Sequence, residues 1–153
     1  MSEETSGPFL TMAVLCETTL QEQTGVLSII RILERVQVAG PTPEMQPINL
    51  KFTLVVTLRS GFYRGNAKVK VKPIPPSNND LPAIEATVLL EGEDRGANLI
   101  MNAPAFAVTE EGVYWFDVSV NGALFTRIPL RVMYQRVGPS PGSLPATKPP
   151  EAM

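Results

Sequence analysis

Glu91, Glu93 and Asp94 crowd into the stretch EGEDRG, and carboxylates at that density are the natural ligands of a hard cation. Calcium takes about six to eight oxygens, so three would need help, and Asp80 in the other long loop is an acid that could supply it. The spacing matches no cation loop, however, and Arg95 follows at once to balance a charge. The plainer reading is a solvated polar turn, and no metal or other cofactor is expected. Lys68, Lys70 and Lys72 form a second constellation, a basic row with Arg64 close behind, of the kind that could read an anion such as a phosphate backbone. Lysines in that pattern also protect an edge strand from aggregation, or pair with Glu85 and Glu91 across a hairpin. With a formal net charge of -2 and no aromatic alternating with the lysines, nucleic acid is not the expected partner.

The missing side chains exclude more. There is no histidine, which removes the commonest general base, the Ser-His and Cys-His nucleophile pairs and the commonest transition-metal ligand. Neither a Walker loop nor a G-x-G-x-x-G stretch occurs. Nothing places two acids to flank a glycosidic bond. The chain is expected not to be an enzyme. Cys16, the one cysteine, sits among Ala13, Val14 and Leu15 with no base nearby, as a small buried hydrophobe would. The first residues carry two acids and no base ahead of a short apolar run, the reverse of a secretory signal, and no apolar run is long enough to span a membrane as a helix. A cytoplasmic location is the expectation.

The elements that must position these residues follow a period of two. In INLKFTLVVTLR, Leu50, Phe52, Leu54, Val56 and Leu58 alternate with polar neighbours, as in a strand with one buried face. NAKVKVKP repeats the pattern with Ala67, Val69 and Val71 inward and the lysines outward, and IEATVLLE does so with Ile84, Ala86, Val88 and Leu90 inward. Residues 25–38 are ambiguous: Ile29, Ile30, Leu33 and Val36 lie near one helical face, but the wealth of Val and Ile favours strand. Turn clusters rich in Pro, Gly, Asn and Ser separate about eight short strands. The predicted fold is all-β, a two-layer antiparallel Ig-like β-sandwich, with a jelly roll or small barrel as the alternative. Residues 1–8 read as a flexible leader, 9–136 as the single domain, and 137–153, VGPSPGSLPATKPPEAM, as a disordered proline-rich tail.

The hairpin around Asn121-Gly122 carries Trp115, the only tryptophan. Before the turn, Tyr114, Phe116, Val118 and Val120 alternate with Trp115, Asp117 and Ser119; after it, Ile128, Leu130 and Val132 alternate with Pro129 and Arg131. A plain two-residue loop would set even residues against odd ones and bury Arg127 unpaired beside Phe116. One residue must therefore slip. The expected solution is a three-residue loop, Val120-Asn121-Gly122, with Ser119 opposite Ala123; a bulge near 126–129 would do the same. Trp115 and Phe125 then project outward, with Arg127 facing the tryptophan and Ile128 facing Tyr114. An outward Trp, Phe and Arg is the composition enriched at interface hot spots.

AVLCE followed by TGVLSIIRILERV, and later EGVYWFDVSVNG with IPLRV, resembles a family of small bacterial β-sandwich domains of unknown function. The likeness spans residues 10–132, and its positions here are Leu15 and Cys16, then Gly25, Leu27, Ser28 and Ile30, then Gly112, Tyr114, Phe116, Leu130 and Val132. Arg31 stands where the family commonly has glycine. The resemblance implies bacterial origin and an Ig-like sandwich, and its apolar and turn positions imply no activity. The functional expectation is a non-enzymatic cytosolic interaction or assembly module that binds a protein partner, or a second copy of itself, through Trp115, Phe125 and Arg127. A ligand-binding sandwich, with a sugar on Trp115 or calcium on the EGEDRG loop, is the alternative. A structural subunit of a phage or contractile particle is the third reading.

Overall fold

A computed structural model describes residues 6–137; the expected leader up to residue 5 and the tail from 138 lie outside them. The described residues form nine strands: β1 Phe9–Gln21, β2 Leu27–Ile32, β3 Arg35–Gly40, β4 Ile48–Gly61, β5 Gly65–Ile74, β6 Ile84–Leu90, β7 Glu93–Val108, β8 Gly112–Val120 and β9 Ala123–Arg136. They form two sheets, β2-β1-β4-β7 (sheet A) and β3-β9-β8-β5-β6 (sheet B). Four strands reach 13 residues or more, so the strands are longer than the expected short ones. No helix long and apolar enough to cross a membrane occurs among the described residues.

The core lies between the sheets. Phe52, Leu54, Val56 and Leu58 of β4 are buried, and so are Ala67, Val69 and Val71 of β5. Thr53, Val55 and Thr57 are buried as well, so this stretch of β4, an interior strand between β1 and β7, is covered on both faces and not on the single face expected. Ile84, expected inward, is 40% exposed, because β6 is an edge strand and Ile84 lies at its open end. The sheets meet through aromatic edges: Phe52 of β4 stands 5.8 Å from Phe116 of β8 and Phe106 of β7 stands 6.0 Å from Tyr114, while Phe52 and Phe106, both in sheet A, lie 5.5 Å apart. Such edge-to-face pairs add about 0.5–1.5 kcal/mol beyond their burial. Cys16 is fully buried, as expected, and burial pushes its thiol pKa up.

Residues 25–38 are strand, but two strands in two sheets. β2 pairs antiparallel with β1, the chain crosses over at Leu33 and Glu34, and β3 pairs parallel with β9. Leu33 N–H donates to the Leu15 carbonyl at 2.8 Å, and Arg131 N–H donates to the Glu34 carbonyl at 3.0 Å, fixing the crossing. A change of sheet interrupts the period of two, which is why the run mimics a helical face. The parallel β3–β9 pair corrects the expectation of wholly antiparallel sheets.

The turn itself is a two-residue loop: Val120 pairs with Ala123, and Asn121 and Gly122 have φ of 51° and 87°. Two positive φ angles fit the type I′ hairpin turn that Asn-Gly favours. Asn121 also pins the turn to β5, since its N–H donates to the Lys68 carbonyl and Lys68 N–H donates to Asn121 Oδ1, each at 2.9 Å. The slip falls just beyond, where Ser119 pairs with Leu124 and Val118 with Thr126, leaving Phe125 as the extra residue. Parity is restored as required, and Tyr114, Phe116, Val118, Ile128 and Leu130 are all buried. The pairing differs from the expected register: Trp115 faces Pro129, not Arg127, and Tyr114 faces Leu130, not Ile128.

Candidate functional site

Sheet B turns one face to the core, and its other face can be mapped row by row from the pairing. Arg35, Arg131 and Val113 lie across β3, β9 and β8. The next row is Pro129, Trp115 and Ile74 on β9, β8 and β5. Then come Arg127, Asp117 and Lys72, and after them Ser119, Lys70 and Glu85. An uncharged row with the tryptophan at its centre is thus bordered on both sides by rows carrying cations.

Trp115 is 39% exposed, outward as parity required. Arg127 reaches over from the neighbouring row, with its guanidinium carbon 6.0 Å from the indole centroid. That guanidinium is itself fixed: its Nε donates to Asp117 Oδ1 at 2.8 Å and an Nη donates to Oδ2 at 3.1 Å. The bidentate pair raises the Arg127 pKa further, chiefly through the hydrogen bond. Trp115 therefore sits between a rigid Pro129 and a tethered cation, and little side-chain freedom remains to be lost on contact. Phe125 is not part of this surface. As the bulge residue it turns inward and packs partly on the core, and Leu124, 55% exposed, takes the outer position beside it.

The lysine row is real but belongs to an interior strand, since β5 lies between β8 and β6, so these lysines guard no edge. Lys68 lies 3.8 Å from Glu85, and Lys72 lies 2.6 Å from Asp80, whose carboxyl it holds below the usual aspartate range. Lys70 stands between Glu85 and Ser119 without an ion pair among those of the described residues. Lys68, Lys70, Lys72, Glu85 and Asp117 line an open hollow of about 550 Å³. Arg64 is not with them; its guanidinium packs over Gly92, where a Cβ would meet it at 2.9 Å.

The EGEDRG acids do not converge. Glu91 is turned to Arg95 at 2.6 Å, and no group of three or more potential ligands able to hold a metal is present among the described residues. Asp80 precedes one end of β6 and Glu91 follows the other, so about 20 Å of strand separates them. Asp80 cannot complete that loop.

A profile of the family of unknown function DUF6941 matches residues 11–133, from β1 to near the end of β9. The chain belongs to the DUF6941 family. Its resemblance to a domain family of unknown function is thereby borne out, and the span recognised from AVLCE to IPLRV is nearly that of the DUF6941 match. No curated protein matches the chain. The matched span includes Trp115, Arg127 and Arg131.

Arg35, Arg131, Pro129 and Ile74 were not among the sequence candidates. The alternation after the hairpin put Arg131 outside, but nothing readable put Arg35 beside it, because a parallel pairing between strands nearly a hundred residues apart leaves no local signal.

Proposed function

We propose that this DUF6941 chain is a non-enzymatic protein-interaction or assembly module whose working surface is the outer face of sheet B. The observation that carries the reading is the setting of Trp115: exposed, backed by Pro129, and held under an arginine that Asp117 fixes in place. Tryptophan and arginine are enriched among residues that dominate binding energy, and rigid anchors bind with the least ordering cost. The absence of histidine, and among the described residues of any group of three or more acids or other ligands able to hold a metal, argues for binding over catalysis.

We also propose that the two sheets form an Ig-like sandwich. The order β9-β8-β5-β6 corresponds to strands G, F, C and C′ of that fold. Tyr114, near the start of β8, donates its hydroxyl hydrogen back to the Glu110 carbonyl at 2.8 Å, as the tyrosine corner of strand F does.

Affinity capture from lysate of the source cells, with wild type and Trp115→Ala side by side, tests the functional reading. Proteins recovered by wild type and lost with Trp115→Ala are expected; equal recovery by both would remove Trp115 from the interface.

A further inference from the structure

Arg35 and Arg131 stand directly opposite one another on β3 and β9, both exposed on the outer face. Like charges so placed repel and destabilise a sheet. No ion pair of the described residues relieves them: Glu34 and Glu111, the acids closest to them in sequence or strand position, make none with either arginine. The face as a whole is also lopsided. It carries six basic side chains, Arg35, Arg131, Arg127, Lys68, Lys70 and Lys72, against Asp117, Glu85 and the Asp80 that pairs with Lys72, in a chain whose net charge is -2.

We propose that the Arg35–Arg131 pair is a carboxylate clamp, and that the partner of this surface is an acidic, extended protein segment. The inference rests on the reading of Trp115 as the centre of an interface. The row holding Trp115 follows the arginine row by two residues along β8 and β9, about 6.6 Å of extended chain. Side chains on one side of an extended peptide repeat at that same spacing. A segment reading acid-x-apolar, laid along the strands, places its carboxylate between the two guanidiniums and its apolar side chain on Trp115 and Pro129. Two forks of fixed geometry suit one carboxylate well, and the cations of the following rows favour further acids. Charge complementarity of this kind sets which partner is accepted and how fast it arrives. Nucleic acid is the less suited polyanion, because a single tryptophan offers no succession of stacking platforms.

The test is fluorescence anisotropy with the full chain and a labelled peptide of Glu-Ser-Leu-Ser repeats, against a Glu-Leu-Ser-Ser control, in which acid and apolar side chains point to opposite sides, and an oligothymidylate. The alternating peptide is expected to bind in preference to both. The double variant Arg35→Gln with Arg131→Gln, and separately Trp115→Ala, should each weaken it by about tenfold or more. Arg131→Gln alone should melt no lower than wild type, since it relieves the repulsion, which separates loss of binding from loss of fold. Full affinity in the arginine variant with loss in Trp115→Ala overturns the clamp and leaves the surface reading standing. Undiminished affinity in both variants overturns the two together. Preferential binding of the oligothymidylate overturns the acidic-protein partner.

Discussion

Trp115, Asp117 and Arg127 act as one unit, because the carboxylate fixes the guanidinium and the guanidinium covers the indole. Replacing Asp117 with Asn weakens the tether without changing shape much, so Trp115 emission and its quenching by acrylamide should both shift toward the more mobile, more exposed values. Unchanged spectra would show that Arg127 does not hold the ring. Asp80 gives a pH-dependent readout of the same face. Lys72 lowers its pKa by hydrogen bonding and by charge, so the pair adds stability while Asp80 is ionised, above the ordinary aspartate value. That contribution fades as pH falls through the lowered value. With Lys72→Met, the Asp80 carboxyl resonance followed by NMR should titrate at higher pH than in wild type. Tyr114 is a matter of folding: losing its hydroxyl in Tyr114→Phe removes the bond to the Glu110 carbonyl, and urea unfolding should report a cost of about 0.5–1.5 kcal/mol.

The hairpin of β8 and β9 is where reading the sequence went furthest and where it stopped. Parity between Phe116 and Ile128 was legible because a charged Arg127 cannot be set beside Phe116 in the core, and that alone demanded one extra residue. Which residue it would be was not legible. The choice depends on Asn121 binding the backbone of Lys68 on β5, a contact across 53 positions, and that contact fixes the two-residue turn and moves the slip to Phe125. Deleting residue 125 should therefore be far worse than shortening a loop: every residue beyond it changes face, and Arg127 enters the core. Loss of cooperative unfolding by circular dichroism is the expected outcome, and a folded deletion variant would contradict the bulge. Asn121→Ala is the milder probe, costing about 1–2 kcal/mol because alanine is held in the left-handed region. The same limit applied to residues 25–38, whose strand character was legible in Val and Ile but whose change of sheet at Leu33 and Glu34 was not.

At the scale of the molecule, one sheet face gathers cations around an exposed tryptophan while the chain's net charge is negative. Composition could not show this, because it averages over the surface, and the pairing of Arg35 with Arg131 exists only once β3 lies parallel to β9. The all-β architecture and the family were legible from period-two runs and a few apolar and turn positions. The surface became visible only when distant strands were brought into register. Electrostatic binding through it should weaken steeply with salt, since at about 0.1 M the screening length is only about 10 Å. The most direct measurement places a photo-cross-linking residue at Val113, beside both Trp115 and Arg131, or at Thr18 on the outer face of sheet A, and exposes each protein to lysate of the source cells. Cross-linked partners from position 113 that disappear when Trp115→Ala is added, with none from position 18, is the expected result. Partners captured equally from position 18, or from position 113 regardless of Trp115, would contradict an interface on sheet B.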